Sequence, residues 1–213
     1  MNTNQIKEYK TDLKLTKRQR EILIGLLLGD GHLETQNGGR TYRLKVEQNI
    51  VRADYVNWLY QNFKKWILSG PQVKEKFDGR TKKKTVNVYF NTMSHGAFRF
   101  YAQQFYQDKK KVVPKQIGRW LTPLSLAIWF MDDGSIKSKK HRGKIINTQC
   151  FSKKEVELLS RCLKENFDLK SVLRKQKTNY WQIYLLSETI DKFYQLIKPH
   201  ILPAMKYKLN KLG

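Results

Sequence analysis

The sequence has few cysteines, few histidines and no long apolar run, and each shortage excludes a class of protein. The two cysteines, Cys150 and Cys162, provide no disulfide framework and lack the paired spacing of a zinc site. The four histidines are scattered along the chain and form no zinc-binding motif either. The apolar run at residues 22–28 is far shorter than the about 20 residues that a transmembrane helix needs. We therefore expect no structural zinc, no disulfides and no membrane span.

The N-terminal segment lacks the features of a targeting peptide. The stretch MNTNQIKEYKTDLK has no apolar core of the kind that secretory signals need. It contains Glu8 and Asp12, whereas transit peptides are poor in acidic residues. We therefore expect an intracellular, soluble protein with no membrane partner.

Acidic residues are scarce relative to basic ones. The chain has 42 Lys and Arg against 18 Asp and Glu, a formal net charge of +24. Its 40% hydrophobic and 12% aromatic content can build a core, so the chain is not a disordered basic tail. A folded domain with this charge repels itself unless a polyanion binds it, and nucleic acid is the expected polyanion. An anionic membrane is the alternative, but it favours a polybasic cluster, whereas these charges are spread along the chain.

The sequence contains a weak internal repeat. Two apolar segments end in Asp-Gly, LIGLLLGDG at Leu23–Gly31 and LAIWFMDDG at Leu126–Gly134. When Asp30 is aligned with Asp133, further segments correspond in the same order. These segments are LYQNF with LKENF and VNVYF with WQIYL. The chain is therefore predicted to be duplicated.

Each half has the pattern helix, hairpin, helix, hairpin, helix. Residues 18–29 and 122–132 are apolar on all sides, as in buried helices. Alternating segments broken by Asn-Gly-Gly or Asp-Gly predict hairpins, and segments with apolar residues at helical spacing lie between them. The predicted fold class is therefore α+β with two antiparallel sheets. The predicted halves are residues 1–113 and 114–213.

Strand alternation separates an apolar face from a polar face in each predicted hairpin. In the first hairpin Leu33, Tyr42, Leu44 and Val46 share the apolar face. The opposite faces carry hydrogen-bonding side chains of the types that read base edges in the DNA major groove. The candidate DNA-binding residues on these faces are His32, Glu34, Gln36, Arg43, Lys45, Thr85, Asn87, Tyr89, Arg174, Gln182 and Tyr184. An ordinary solvated sheet face is the alternative, and the positive charge of the chain favours nucleic acid.

The two apolar helices are expected to pack on each other. Gly25 and Gly29 lie one turn apart, and glycine within a helix costs about 1 kcal/mol, which a close helix–helix contact offsets. Packing would bring Asp30 and Asp133 side by side, where the carboxylates repel unless cations lie between them. Mg²⁺ prefers oxygen ligands and binds phosphates, and two such ions can activate water for phosphodiester hydrolysis. The alternative is that each Asp-Gly only ends a helix and begins a turn.

These motifs resemble the two copies of the LAGLIDADG motif. The chain is similar over nearly its whole length to single-chain, two-motif LAGLIDADG homing endonucleases, and LTPLSLAIWFMDDG, NTQCF and IKPHILPAMKYKL resemble the omega-intron subgroup. The resemblance implies two pseudo-symmetric αββαββα halves whose sheets form a saddle on the DNA major groove. It also implies cleavage of both strands of a long asymmetric site, with Mg²⁺ or Mn²⁺, to leave short 3′ overhangs and promote intron mobility.

The resemblance assigns roles to particular residues of this chain. Asp30 and Asp133 match the metal-binding acids, and Gly29 and Asp132 would offer backbone carbonyls to metal. The side chain of Asp132 is expected to be solvated or to cap a helix. Further candidate catalytic residues are Glu47 and Gln149, which would order water near the scissile phosphates, and Lys111 and Lys208, which would stabilise charge on phosphate. In a chain this basic, each lysine has the alternative role of a phosphate-positioning or solvated residue.

The motif copies depart from the family pattern, and the functional alternatives stay open. Ile24, Ile128 and Trp129 replace small or aliphatic motif residues, so the helix interface is predicted to be asymmetric. Because the halves differ, we expect a monomer and a non-palindromic double-stranded DNA site. The alternatives are a group I intron maturase that binds intron RNA and a non-catalytic DNA-binding regulator; retention of Asp30 and Asp133 favours the endonuclease. The resemblance implies a protein encoded within a mitochondrion or chloroplast.

Overall fold

The chain folds into two compact units, and each is described separately. The structure, a computed structural model, describes residues 3–79, 82–136, 141–177 and 180–209. Unit 1 contains the chain up to Arg20 together with Gly31–Ala102, and unit 2 contains Glu21–Asp30 together with the chain from Gln103 onward. Residues 137–140, in the predicted turn of the third hairpin, lie outside the described residues.

Unit 1 is built on a four-stranded antiparallel sheet. Its helices and strands are α1 (Thr3–Thr11), the start of α2 (Lys17–Leu28), β1 (His32–Glu34), β2 (Arg43–Asn49), α3 (Ala53–Phe63), β3 (Gln72–Asp78), β4 (Lys83–Asn91) and most of α4 (Arg99–Phe105). Short 3-10 segments lie at Ile50–Arg52, Lys64–Trp66 and Gly96–Phe98. The strand order is β1-β2-β4-β3, so the two hairpins pair through β2 and β4.

Strand alternation places one face of this sheet against α3. Leu33 pairs with Leu44 and Val46 pairs with Phe90, and all four are buried. The helix α3 contributes the apolar stripe that covers them. Its fully buried side chains are Tyr55, Val56, Leu59 and Phe63. Each such side chain contributes about 1.5–3 kcal/mol by burial, so this contact between helix and sheet forms the core of unit 1.

Unit 2 has a second sheet with the corresponding strand order. Its elements are the end of α2, β5 (Tyr106–Gln107), β6 (Lys110–Lys111), α5 (Ile117–Trp120), α6 (Pro123–Asp133), β7 (Gly134–Ile136), β8 (Lys144–Asn147), α7 (Lys153–Phe167), β9 (Ser171–Lys177), β10 (Tyr180–Leu185) and α8 (Ile190–Ile197). Further 3-10 segments lie at Ser187–Thr189, Lys198–His200 and Pro203–Lys208. The strand order is β7-β8-β10-β9, and α7 packs on β9 and β10.

The predicted α+β fold with two antiparallel sheets is confirmed. The predicted helices and hairpins occur in the predicted order in both halves. Four kinds of element were not predicted from the sequence: α1, the β5–β6 hairpin, α5 and the 3-10 segments. The boundary between residues 113 and 114 and the saddle formed by the two sheets stay predictions.

Within unit 2, the end of α2 packs closely on α6. Residues 22–28 of α2 and 124–132 of α6 are buried. A Cβ atom placed on Gly25 would lie 2.5 Å from the backbone oxygen of Ser125 and 2.6 Å from Cβ of Ile128. The helices therefore approach at a distance that only glycine permits, as the paired apolar motifs predicted. In the described part of the chain, no helix is long and apolar enough to cross a membrane.

Candidate active site

The two motif acids of unit 2 lie at the adjoining ends of α2 and α6. Asp133 is the last residue of α6, and Asp30 follows α2. The backbone N–H of Asp30 donates to Oδ2 of Asp132 at 3.0 Å. Asp132 is 5% exposed, so the alternative that its side chain is solvated is wrong. Its carboxylate accepts a hydrogen bond from the backbone that follows α2. A Cβ on Gly29 would lie 2.5 Å from Asp132 Oδ2, which explains why the aligned position of the first motif is glycine.

The environment of Asp133 disfavours its charge. Burial raises the pKa of Asp133 to about 7, and the nearby carboxylate of Asp30 adds to the shift. The positive charges of Lys111 and Lys208 oppose it. Asp30 is exposed, so solvent reaches the two carboxylates from the side of Asp30. A cation beside these two carboxylates would relieve the repulsion that raises this pKa.

Two lysines contact the backbone immediately before the motif acids. Lys111 Nζ donates to the carbonyl oxygen of Gly29 at 2.6 Å. Lys208 Nζ donates to the carbonyl oxygen of Asp132 at 2.8 Å. Each lysine therefore contacts the same position of one motif copy. Burial lowers the pKa of Lys111, although the nearby Cys150 thiol and the aspartates oppose this shift.

Both lysines lie in short elements that were not predicted from the sequence. Lys111 pairs with Tyr106 in the β5–β6 hairpin. The turn of this hairpin has left-handed backbone at Asp108, with φ of 48°, and at Lys109, with φ of 64°. Asp108 is of a residue type that tolerates left-handed backbone better than most, so it was an indication of this turn in the sequence. Lys109 is not of such a type and gave no indication. Lys208 ends the 3-10 segment Pro203–Lys208 and is 7% exposed.

Replacement of either lysine by methionine is expected to slow DNA cleavage about 100-fold, because each removes a preorganised positive charge. Lys208→Met should also lower the free energy of unfolding by about 1–3 kcal/mol, since it leaves the buried Asp132 carbonyl without this donor. The matched controls are the exposed neighbours Lys110→Met and Lys206→Met, which should change neither quantity. Single-turnover cleavage and urea unfolding provide the measurements; equal rates for Lys111→Met and Lys110→Met would contradict the assignment.

Polar side chains of the second sheet reach the main chain of Asp133. Asn147 Nδ2 donates to the Asp133 carbonyl at 2.7 Å. Asn147 Oδ1 accepts from Gln182 Nε2 at 2.6 Å and from Gln149 Nε2 at 3.3 Å. Asn147 was not predicted from the sequence, because its role depends on the strand register that places it opposite Gln182. The structure therefore brings the predicted residues Gln149 and Gln182 into one network with Asp133.

Glu47 occupies the corresponding polar face in unit 1. Its Oε1 accepts from Asn87 Nδ2 at 2.9 Å, and its Oε2 accepts from Lys74 Nζ at 2.8 Å. Burial alone would raise the pKa of Glu47, but the hydrogen bonds from Lys74 and Asn87 and the charges of Lys74 and Lys45 lower it below its ordinary value. Glu47 is therefore held as a carboxylate, and its role at the scissile phosphate stays a prediction.

The predicted DNA-binding residues follow the polar faces of the two sheets, although several are engaged with other side chains. Glu34 pairs with Arg43 at 2.6 Å. On this face of unit 1, His32 is exposed, and Lys45, Thr85, Asn87 and Tyr89 are half-buried. Gln36 lies in the loop after β1, so its predicted place on the sheet face is wrong. In unit 2, Tyr184 is 6% exposed, and the guanidinium of Arg174 lies 3.6 Å from its ring centroid. Their contacts with DNA stay predictions.

The donor set of the two motif acids fits a hard divalent cation. Among the described residues, no group of three or more His, Cys, Asp and Glu side chains could hold a metal. Mg²⁺ does not need such a cage, because it is usually bound by one or two carboxylates together with phosphate oxygens and water. Asp30 and Asp133 supply two carboxylates. The carbonyls of Gly29 and Asp132 already accept from Lys111 and Lys208, so their role as metal ligands stays a prediction. The two carboxylates fit a metal that a nucleic acid phosphate helps to bind.

Comparison with known proteins shows the family. The LAGLIDADG DNA endonuclease family model matches residues 20–193. A probable intron-encoded endonuclease 1 of Wickerhamomyces canadensis is 32% identical, over 98% of this chain and 91% of that protein. The solved structure of the homing endonuclease I-WcaI bound to its DNA recognition sequence matches with a TM-score of 0.91 and 32% identity, over 98% of this chain and 93% of that one.

Other relatives are longer or more distant. The cytochrome b mRNA maturase bI2 of Saccharomyces cerevisiae is 32% identical over 89% of this chain, which spans only 46% of that protein. The structure of I-DmoI in complex with DNA and Mn is 15% identical, with a TM-score of 0.52 over 85% of this chain and 96% of that one, a likeness that shows the fold alone. The matches confirm the family that the two Asp-Gly motifs predicted and its enzyme class. The chain belongs to the LAGLIDADG DNA endonuclease family.

Proposed function

We propose that this protein is a site-specific homing endonuclease that hydrolyses both strands of a long, asymmetric double-stranded DNA site and leaves short 3′ overhangs. The observation that carries the proposal is the convergence of Asp30 and Asp133, each preceded by a carbonyl that accepts from a lysine ammonium. A protein that only bound nucleic acid would gain repulsion from these acids and no function. The proposed biological role is intron mobility.

The chemistry follows from the groups around the acids. Asp30 and Asp133 would hold Mg²⁺ or Mn²⁺ together with the scissile phosphates, and the metal would supply Lewis acidity and an activated water. Gln149 donates through Nε2 to Asn147 and to Gln176 Oε1, so its Oε1 is turned away from both and can accept a hydrogen bond from the attacking water. Lys111 and Lys208 place positive charge where the phosphate gains negative charge in the transition state.

The polar faces of the two sheets are the proposed surfaces for DNA. A chain with a net charge of +24 gains affinity by releasing counterions from phosphates. The two faces carry different side chains, Glu34, Arg43 and Tyr89 in unit 1 and Arg174 and Gln182 in unit 2. A protein built in this way reads different sequences with its two halves, taken as residues 1–113 and 114–213. We therefore propose a monomer acting on a non-palindromic site.

A maturase is the second candidate function. The yeast mRNA maturase, 32% identical over 89% of this chain, favours an additional role in binding intron RNA. A non-catalytic DNA-binding regulator is less consistent with the retained acids. The intron-encoded and maturase relatives also support synthesis within an organelle, a mitochondrion or a chloroplast.

Cleavage of the intron-less host gene tests the proposal. Purified protein and Mg²⁺ should convert a plasmid carrying the joined exons to a single linear product with 3′ overhangs, and EDTA should prevent this. Mn²⁺ should replace Mg²⁺. Intact plasmid in both metals, together with restored splicing of the intron RNA by the same protein, would contradict the nuclease and favour the maturase.

A further inference from the structure

The side-chain amide of Asn147 has a fixed orientation, because one of its neighbours can only accept hydrogen bonds. Asn147 Nδ2 lies 2.7 Å from the backbone carbonyl oxygen of Asp133, and a carbonyl oxygen has no proton to donate. The nitrogen of the amide therefore faces Asp133, with Ser135 Oγ as a weaker second acceptor at 3.5 Å. It follows that Oδ1 of Asn147 faces the neighbouring strand.

This orientation in turn sets the polarity of Gln182. The side chain of Gln182 approaches Asn147 Oδ1 to 2.6 Å, and because that oxygen only accepts, the facing atom of Gln182 is the amide nitrogen Nε2. Oε1 of Gln182 is turned away and accepts no hydrogen bond from the residues that the structure describes. One proton of Nε2 is used by Asn147, and the second remains available beside Oε1.

Gln182 presents these two groups on the face of the sheet opposite α7. It pairs in register with Asn147 on β8 and with Arg174 on β9, so the three side chains form one row across the strands. Ile146 and Ile183 in the adjacent row are buried on the other face. The row of Asn147, Gln182 and Arg174 therefore belongs to the surface proposed for DNA.

We propose that Asn147 is a positioning residue for target recognition, and that it orients Gln182 to read adenine in the major groove. The inference rests on the proposed DNA-binding function. Gln182 offers an acceptor beside a donor. Adenine offers the complementary pair, the N6 amino donor beside the N7 acceptor, whereas guanine offers two acceptors, O6 and N7. In the fixed orientation, Gln182 forms two hydrogen bonds with adenine and places Oε1 against O6 of guanine.

The same side chain connects recognition with the reactive centre. Asn147 contacts Gln182 through its oxygen and the main chain of Asp133 through its nitrogen. Gln149, the proposed water-ordering residue, also donates to this oxygen at 3.3 Å. A base that displaces Gln182 therefore disturbs the amide that supports Asp133, so a mismatch at this position slows cleavage as well as weakening binding.

The test first locates the base that Gln182 contacts. Sites are selected from a DNA library by binding to the protein without Mg²⁺, so that the measurement does not depend on cleavage. Gln182→Ala is expected to lose the base preference at one position. At that position the wild-type protein should prefer adenine over guanine by about tenfold or more, the discrimination typical of a bidentate contact.

Two substitutions of Asn147 then separate its contacts. Leucine has a volume similar to that of asparagine but no amide. In Asn147→Leu the amide of Gln182 can therefore rotate and exchange the positions of Oε1 and Nε2, and the preference for adenine should fall to about threefold or less. Asn147→Asp keeps an acceptor for Gln182 but places oxygen against the Asp133 carbonyl. It should retain the preference for adenine and slow single-turnover cleavage about tenfold or more. Should Asn147→Leu fail to fold, the smaller Asn147→Ser removes the same amide.

Gln176→Leu is the matched control. Gln176 contacts Gln149 and not Asn147, so the preference at the Gln182 position should not change. The proposal is overturned if Gln182→Ala loses preference at no position, if the wild-type preference there is guanine or thymine, or if the folded leucine or serine variant of Asn147 keeps it. A wild-type protein that binds with the expected preference but never cuts would contradict the nuclease and leave this proposal standing.

Discussion

Asp133→Asn is expected to abolish DNA cleavage, with a loss of at least about 1,000-fold in the single-turnover rate. Asparagine has nearly the same shape but no negative charge, so it cannot hold a divalent cation between the helix ends and the phosphate. A Lewis-acidic metal contributes several kcal/mol to the stabilisation of the transition state, and about 4 kcal/mol corresponds to this factor. Asp30→Asn is expected to have an effect of similar size, because each acid ends one motif copy.

The control for charge is Asp191→Asn. Asp191 lies in the same unit, on the exposed surface, where it pairs with Arg142, and its replacement should leave cleavage within about twofold, as is usual for surface pairs. DNA binding without metal should be equal or tighter in Asp30→Asn and Asp133→Asn, since each removes a negative charge that repels phosphate. A folded Asp133→Asn protein that cuts at the wild-type rate would refute the assignment of this acid.

Asp133→Asn should also stabilise the metal-free protein at pH 8. The pKa of Asp133 is raised from an ordinary 3.8 to about 7 by burial and by Asp30. The folded state therefore loses stability as the pH rises from about 4 to about 7, because above this range it must hold an unfavourable charge. The variant lacks this cost, so its melting temperature at pH 8 should exceed that of the wild type. Mg²⁺ should reduce this difference in melting temperature, because it binds and stabilises only the wild-type pair of carboxylates.

The elements that the sequence predicted are those with a strong local pattern. Alternation in the first hairpin predicted an apolar face of Leu33, Tyr42, Leu44 and Val46. Of these, Leu33, Leu44 and Val46 are buried, and Tyr42 is half-buried. The apolar segments that end at Asp30 and Asp133 identified the packed helices. In each case the prediction used residues that are close together in the chain. The spacing of their apolar side chains identifies the buried face of a helix or strand directly.

The parts that the sequence could not predict depend on contacts between distant residues. The burial of Asp132 follows from its contact with the backbone of Asp30, about half a chain away. The role of Asn147 depends on the strand register that brings Gln182 opposite to it. The hairpin that holds Lys111 depends on two consecutive left-handed residues, of which only Asp108 is of a type that favours this conformation. None of these features leaves a periodic pattern in the sequence.

The asymmetry of the two motifs was visible in the sequence, but its meaning required the structure. When Asp30 is aligned with Asp133, Gly25 falls opposite Ile128 and Gly29 falls opposite Asp132. In both pairs the glycine, within α2 for Gly25 and directly after α2 for Gly29, lies against the larger residue of α6. The packing surfaces of the two duplicated helices are therefore complementary in shape. Each glycine of the first copy leaves space, and the aligned residue of the second copy fills that space.

Gly25→Ala is accordingly expected to destabilise the protein by about 2 kcal/mol or more. Alanine favours a helix over glycine by about 1 kcal/mol, but the new methyl group would lie 2.5 Å from the Ser125 backbone oxygen. Overpacking of this kind costs about 1–3 kcal/mol and sometimes more, and a backbone atom within a helix cannot move aside as a side chain can. In a chain of this size the melting temperature should fall by roughly 5 °C or more.

Two further variants make this prediction specific to the helix contact. Gly96→Ala is the control, because a Cβ at Gly96 meets no atom within 4 Å, and its melting temperature should match that of the wild type. Ile128→Gly combined with Gly25→Ala should not recover the loss, since it leaves the Ser125 oxygen in place and removes a fully buried side chain, which costs a further roughly 2–5 kcal/mol. A Gly25→Ala protein as stable as the wild type in thermal unfolding would show that the helices can separate. The pairing of Asp30 and Asp133 would then not depend on the close approach at Gly25.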